Sequence, residues 1–268
     1  MSLSTQRQCE SHPAQIPRLG REALAARSVR RIALPFFLVL LGLFGLQSAA
    51  CAAEPEAAPS SPNVQSADEA EFVPIFNGRD LSGWVVEGST KAVFDGKEQE
   101  IWTVENGEIH CRGKGFGFLR YDKPLKDFVV RLEYKLAPKA NSGIGIRTVK
   151  FEGKTNTRPS FASYEIQLLD DAGKSPGKHS TGSLYRYVAP AENPSLPAGQ
   201  WNTVEIECRG PRLRIVFNGR VLHDLDQTTI EEIKNKPLEG YFCLQDHGSK
   251  VWFRNVRIKE LPEGAAAK

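Results

Sequence analysis

The chain has 268 residues and a formal net charge of +3, with 25% charged and 40% hydrophobic residues. Residues 1–52 contain six arginines and two glutamates, so the chain beyond them has a net charge of −1. Nucleic-acid binding requires a basic face that displaces counterions from phosphates, and this composition excludes it.

Residues 1–52 have the pattern of an export signal. Arg30 and Arg31 precede an unbroken apolar run from Ile32 to Leu46, and small residues follow the run. A membrane-spanning helix needs about 20 apolar residues, which is more than this run supplies. We therefore predict an exported protein, periplasmic or extracellular. Membrane attachment through an uncleaved N-terminal anchor or a lipidated Cys51 stays open.

The rest of the chain divides into three parts. Residues 53–70 are a flexible linker rich in Pro, Ala and Ser, residues 71–262 are predicted to form one folded domain, and residues 263–268 are a tail. Three cysteines fall in the domain: Cys111, Cys208 and Cys243. Their number and spacing do not indicate a disulfide framework, so we expect them to pack as small hydrophobic residues, with one disulfide as the alternative.

The domain has the sequence pattern of an all-β fold. Asn106-Gly107 and Asn218-Gly219 each lie between alternating apolar runs, which predicts two tight hairpins. Further strand-like runs are DFVVRLEYKL, SGIGIRTV, SYEIQLL, GSLYRYV, WNTVEIEC, GYFCLQDH and VWFRNVRIKEL. One or two helical turns are expected at residues 228–235, where Thr229 and Glu232 have capping-box spacing. About a dozen short strands predict a sandwich of two antiparallel sheets.

Three of these strands carry polar side chains opposite their apolar face. Since side chains alternate along a strand, those faces hold Gly143, Gly145 and Arg147, then Glu165 and Gln167, then Cys243, Gln245 and His247. Glycines at 143 and 145 would leave an open floor for a ligand. Carboxylates and amides near the aromatic residues Tyr185, Tyr187 and Trp201 suit sugar hydroxyls and ring faces. The alternative is an ordinary solvated outer face. Of the aromatic residues, Trp102, Trp201 and Trp252 are expected in the core.

Seven segments, in this order along the chain, resemble a known family. They are FVPIFNGRDLSGW, WTVENGEI, NSGIGIR, YEIQLLDD, WNTVEIEC, FNGR and LQDHGSKVWFRNVRIKEL. The family was long catalogued as DUF1080 and is now described as 3-keto-disaccharide hydrolase, or 3-keto-glucoside-1,2-lyase and 3-keto-2-hydroxy-glucal hydratase. The resemblance extends from about Phe72 to Leu261. It implies a concanavalin A-like lectin/glucanase jelly-roll sandwich, and exported bacterial proteins that act on sugars oxidised to a ketone at C3.

That activity would need a base, an acid and a group that stabilises an enediolate. We assign Glu165 and His247 as base and acid, in either order, and Arg147 as the stabilising group. Sugar hydroxyls would be oriented by Asn141, Gln167 and Gln245, with Asp170 and Tyr185 near the rim of the site. A divalent metal ion held by Glu165, His247 or Asp170 could replace Arg147.

Two other classes of function stay open. A non-catalytic carbohydrate-binding module would use the same amides and aromatics without a base, because a shared fold does not fix function. A structural or adhesive exported domain would leave the polar faces merely solvated. An ordinary retaining glycosidase is disfavoured, since it needs two carboxylates flanking the sugar.

Overall fold

A computed structural model describes residues 69–262, which form an all-β domain. The predicted leader, nearly all of the linker and the tail lie outside the described residues. Fifteen strands are present in the described part of the chain: β1 Val73–Pro74, β2 Trp84–Gly88, β3 Lys91–Phe94, β4 Lys97–Glu100, β5 Trp102–Glu105, β6 Glu108–Cys111, β7 Gly117–Tyr121, β8 Phe128–Leu136, β9 Asn141–Thr148, β10 Tyr164–Leu169, β11 Trp201–Arg209, β12 Arg212–Phe217, β13 Arg220–Asp226, β14 Tyr241–Asp246 and β15 Val251–Glu260. A short helix, α1, spans Pro159–Ala162, and 3-10 turns span Thr155–Thr157 and Gln227–Thr229.

The strands form two antiparallel sheets. The larger sheet has the order β13-β12-β11-β8-β15-β6-β5, with β1 paired to β15, and the smaller has the order β10-β9-β14-β7-β2. Strands β3 and β4 form a separate hairpin. One hydrophobic cluster joins buried residues of both sheets, such as Val130 on β8 and Ile144 on β9. The predicted jelly-roll sandwich of two antiparallel sheets is therefore confirmed.

Both predicted Asn-Gly hairpins are present. Asn106 and Gly107 connect β5 to β6, and Asn218 and Gly219 connect β12 to β13. All four residues have positive φ angles, which is the conformation that a two-residue hairpin requires and that Asn and Gly tolerate. Register is fixed at these points, so the apolar side chains of each strand face the core.

One predicted strand is absent, and one predicted helix cap is different. The run GSLYRYV forms isolated bridges at Leu184 and Val188 instead of a strand, because positive φ angles at Gly182 and Arg186 turn the chain on either side of Leu184. Helical turns are present near residue 228, as a 3-10 turn over Gln227–Thr229 and a hydrogen bond from the Lys234 N–H to the Ile230 carbonyl. Their cap differs from the predicted one: the side chain of Asp226 accepts a hydrogen bond from the Thr228 N–H.

The tryptophans divide between the core and the surface. Trp102 is buried in the hydrophobic cluster as expected. Trp201 and Trp252 are only partly buried, and the Lys135 ammonium lies 4.4 Å from the ring centroid of Trp201 and 5.0 Å from that of Trp252. The expectation that these two residues belong to the core is therefore wrong. They face outward because their neighbours Asn202 and Val251 take the inward positions.

The three cysteines of the domain are free and buried, as expected for small hydrophobic residues. Burial raises the pKa of each thiol. Within residues 69–262, no helix is long and apolar enough to cross a membrane.

Candidate active site

A cleft of about 170 Å³ lies on the face of the smaller sheet that points away from the core. Strands β9, β10 and β14 form its floor, and α1, the segment before β7 and the irregular segment after residue 182 form its walls. Its lining residues are Phe116, Asn141, Arg158, Ser160, Phe161, Glu165, Gln167, Tyr185, Arg186, Gln245 and His247. Six of the eight residues that the sequence nominated therefore lie together.

Glu165 and Gln245 meet at the centre of the floor. They belong to β10 and β14, which lie on opposite sides of β9 in the sheet. The Gln245 Nε2 donates a hydrogen bond of 3.1 Å to Glu165 Oε1. A Cβ atom added to Gly143 on β9 would lie 3.0 Å from Glu165 Cγ, so the missing side chain there allows the contact.

The two glycines of β9 are covered, so they do not form the open floor that the sequence suggested. The side chain of Glu165 lies over Gly143. A Cβ atom at Gly145 would lie 2.5 Å from the Cys243 sulfur and 3.0 Å from Pro159 Cγ. Gly145 therefore lets the first residue of α1 pack directly on the sheet, and this contact positions one wall of the cleft.

Glu165 is a buried carboxylate, with only 6% of the residue exposed. Burial raises the pKa of Glu165, because a charged carboxylate is poorly solvated there. Hydrogen bonds from Ser160 and Gln245 oppose that increase, as do the positive charges of Arg158 and Arg186. A carboxylate with a raised pKa in a cleft has the properties of a general base that works nearer neutral pH.

A chain of side-chain hydrogen bonds leads to His247. Gln167 Nε2 donates to Asn141 Oδ1 at 2.8 Å, and Asn141 Nδ2 lies 3.4 Å from His247 Nδ1. Because Asn141 accepts through its oxygen, its amide nitrogen donates to Nδ1, and the proton of a neutral imidazole is then on Nε2. The exposed ring of His247 also contacts Phe116 edge to face, with centroids 5.6 Å apart.

Two of the predicted site residues lie elsewhere. Arg147 is fully buried, and its guanidinium donates to the carbonyl oxygens of Lys126 and Gly210 and contacts the Asp127 carboxylate at 3.3 Å. The predicted face for Arg147 is wrong because its φ angle of 52° breaks the strand alternation. Asp170 does not line the cleft, and its carboxylate accepts a hydrogen bond from the Lys139 N–H at 2.7 Å.

Sequence reasoning missed five lining residues: Phe116, Arg158, Ser160, Phe161 and Arg186. All five lie outside regular strands, so strand alternation could not assign them to a face. Arg158, Ser160 and Phe161 belong to the stretch KTNTRPSFA, which has no alternation of apolar and polar residues. Their positions depend on α1 packing against Gly145, a contact between distant parts of the chain.

A larger groove, of about 360 Å³, lies on the outer face of the larger sheet. Its charged side chains are paired with one another: Arg131 with Glu69 and Glu205, and Arg257 with Glu69. Charged groups that are already paired have few free positions to bind a ligand. The larger volume of this groove therefore does not make it a better candidate for the active site than the cleft.

The predicted metal ligands do not converge. Glu165 and His247 share the cleft, whereas Asp170 lies outside it. The described part of the chain contains no group of three His, Cys, Asp or Glu side chains that could hold a metal ion.

Comparison with known proteins identifies the family. Residues 71–259 match the model of the 3-keto-alpha-glucoside-1,2-lyase-like domain. The chain belongs to this family. The 3-keto-alpha-glucoside-1,2-lyase-like domain thus accounts for nearly all the described residues, and it contains the entire cleft.

Relatives of this family member include a 3-keto-disaccharide hydrolase of Bacteroides thetaiotaomicron. The two chains are 26% identical over 242 residues, which is 71% of this chain and 78% of the relative. Two crystal structures of glycosyl hydrolase candidates from Parabacteroides distasonis share the fold of this chain. One has a TM-score of 0.60 at 24% identity, covering 74% of this chain and 97% of the other. The second has a TM-score of 0.56 at 20% identity, covering 71% and 99%.

Proposed function

We propose that this protein is a carbohydrate hydrolase that cleaves 3-keto-glycosides by elimination and rehydration, with Glu165 as the base. The observation that supports this most is the buried carboxylate of Glu165, with its raised pKa, at the floor of a cleft. The family match and the hydrolase from Bacteroides thetaiotaomicron support the substrate class.

The ketone determines the first step. A carbonyl at C3 acidifies the hydrogen on C2, because the electrons of the broken C–H bond delocalise onto the ketone oxygen. Glu165 removes that proton, and the substrate becomes an enediolate. Glu165 is neutral after the transfer, which its desolvated position favours.

The second step breaks the glycosidic bond. The enediolate electrons form a double bond between C1 and C2 as the C1 substituent leaves, and His247 Nε2–H donates the proton that makes it an alcohol. Water then adds to C1 of the resulting glucal and gives one proton to the deprotonated Nε2 of His247, while Glu165 returns its proton to C2, so both residues are regenerated. The net reaction is hydrolysis, with Asn141 and Gln167 orienting the imidazole.

The number of carboxylates in the cleft favours elimination over ordinary glycoside hydrolysis. Glu165 is the one Asp or Glu among the described lining residues. Retaining and inverting glycosidases typically place two carboxyl groups about 5–10 Å apart around the scissile bond. An elimination route needs a single carboxylate base, and the cleft supplies one.

The test compares an oxidised and an unoxidised substrate. Purified protein is incubated with a 3-keto-glucoside and with the same glucoside before oxidation, and alcohol release is measured. We expect release from the 3-keto-glucoside alone. Glu165→Gln should abolish it, whereas Glu98→Gln, an exposed glutamate on β4, should retain it. Hydrolysis of the unoxidised glucoside, or full activity of Glu165→Gln, would contradict the proposal. Binding of 3-keto sugars without turnover would instead indicate a carbohydrate-binding module.

We also propose export to the periplasm or the cell exterior, on the basis of the leader-like sequence of residues 1–52. Mass spectrometry of the mature N terminus from fractionated cells tests this. A chain that keeps Met1 in the cytoplasmic fraction would contradict it.

A further inference from the structure

Within residues 69–262, the side chains of two arginines in the cleft make no hydrogen bond or salt bridge. Among residues 69–262, the guanidinium groups of Arg158 and Arg186 contact aromatic rings and no acceptor. Arg158 Cζ lies 4.4 Å from the ring centroid of Phe116, and Arg186 Cζ lies 4.1 Å from that of Phe161. The Nε of Arg158 is buried and unpaired. A buried N–H group normally donates a hydrogen bond, because leaving a buried donor unpaired costs about 1–3 kcal/mol.

The backbone holds both arginines at the cleft. Arg158 precedes Pro159, which favours extended backbone, and its φ and ψ angles are −72° and 144°. It is therefore a single extended residue between the 3-10 turn Thr155–Thr157 and α1. Arg186 has a φ angle of 68°, a left-handed conformation that costs an ordinary residue about 1–2 kcal/mol. Its N–H donates to the Lys178 carbonyl at 2.7 Å, which holds this turn.

Both positive charges act on the same carboxylate. Arg158 and Arg186 each lower the pKa of Glu165 through space, against the larger effect of burial. Neither is bonded to Glu165, whose hydrogen bonds come from Ser160 and Gln245. The cleft therefore has two cations and one carboxylate, and the guanidinium groups still have N–H donors that make no hydrogen bond. An arginine whose donors are unused is suited to an oxygen that carries negative charge.

We propose that Arg158 and Arg186 are catalytic residues that stabilise the enediolate oxygen formed at C3, the role that sequence reasoning gave to Arg147. The inference rests on the proposed function. The C3 ketone is neutral in the bound substrate and gains negative charge only when C2 loses its proton. The guanidinium groups therefore bind the transition state more strongly than the substrate, which accelerates the reaction.

An alternative role for Arg158 and Arg186 predicts different kinetics. If the arginines bound a permanently anionic substituent, such as a uronic acid carboxylate, they would contribute equally to substrate and transition state. Their loss would then raise KM for acidic substrates and leave neutral ones unaffected. Loss of enediolate stabilisation would instead lower kcat for a neutral substrate.

The experiment measures kcat and KM for a neutral 3-keto-glucoside with Arg158→Gln, Arg186→Gln and the corresponding lysine variants. Arg79→Gln, an exposed arginine in the loop after β1, is the control. Each glutamine variant should lower kcat by on the order of 10²-fold, with KM changed less than about threefold. The lysine variants should recover part of the loss, because charge is restored without the fork geometry. Calorimetry in the Glu165→Gln background should show unchanged binding of the keto-glucoside, and thermal unfolding should confirm folding.

The outcomes separate the two proposals. Turnover by the wild-type protein with unchanged kcat in both glutamine variants would overturn the arginine assignment alone. So would a rise in KM restricted to a 3-keto-glucuronide. If the wild-type protein turns over no 3-keto-glycoside, the proposed function and this inference both fail.

Discussion

Glu165 accepts a hydrogen bond from Gln245 across the strand that separates them, at 3.1 Å. The contact exists because Gly143 presents no side chain between the two residues. Three strands thus cooperate to position one carboxylate, and the glycine is as important to that position as the two polar side chains.

Enlarging Gly143 should therefore misplace the base. In Gly143→Val, the new Cβ would lie 3.0 Å from Glu165 Cγ and Oε1, with further methyls beyond it, so the carboxylate must move. We expect kcat to fall by on the order of 10²-fold, since a displacement of about 1 Å at a reacting group has that effect. Gly177→Val is the control, because a Cβ there meets nothing within 4 Å. Wild-type kcat in a folded Gly143→Val protein would contradict this account.

Glu165 should make stability depend on pH. Its pKa is raised in the folded state above the ordinary value of 4.5, so ionisation is disfavoured by folding. Below pH 4.5 the group is protonated in both states and its ionisation has no effect on stability. As pH rises through the folded pKa, stability is lost. Glu165→Gln should therefore have a higher Tm than wild type at pH 7 and a smaller difference at pH 4. Calorimetry at both pH values measures this, and a lower Tm of the variant at pH 7 would contradict it.

Asn141 should control which nitrogen of His247 carries the proton. The Asn141 amide lies 3.4 Å from Nδ1 and donates to it, which places the proton on Nε2. In Asn141→Asp the carboxylate can only accept, so the Nδ1–H tautomer should dominate and release of the alcohol should slow. Nitrogen chemical shifts of labelled His247 report the tautomer directly. An unchanged Nε2–H tautomer in the variant would refute the assignment.

Arg147 should be a structural residue. It is fully buried, and it satisfies two backbone carbonyls and contacts Asp127. Truncation leaves these groups unpaired, and breaking a buried ion pair typically costs about 3–5 kcal/mol. Arg147→Ala should therefore lower the free energy of unfolding in urea by that amount, while the kcat of the folded fraction stays near wild type. A large loss of kcat without loss of stability would restore Arg147 to the catalytic site.

Strand alternation predicted the parts of the site that lie within regular strands. Glu165 and Gln167 lie opposite Tyr164 and Ile166 on β10, as the pattern indicates. The same rule failed for Arg147, because a positive φ angle at the end of β9 turns its side chain away from the cleft. No sequence pattern predicts a positive φ angle at a residue that is neither Gly nor Asn.

The walls of the cleft could not be predicted in this way. Arg158 and Arg186 lie in irregular segments, and their positions depend on contacts between parts of the chain far apart in sequence. The packing of Pro159 on Gly145 is one such contact. The bridge between Leu184 and Ile166, which brings the segment after residue 182 to β10, is another.

The most direct test of the central claim follows the hydrogen on C2. A 3-keto-glucoside is incubated with the protein in D₂O, and NMR of the released sugar measures deuterium at C2. If Glu165 removes that proton and its carboxyl group exchanges with D₂O before protonating C2, the sugar should carry deuterium at C2, and Glu165→Gln should give neither release nor exchange. Release of a sugar that keeps its original hydrogen at C2, at the same rate from a substrate deuterated at C2 as from the ordinary one, would show that the glycosidic bond is broken without proton abstraction, and would contradict the mechanism proposed for this cleft.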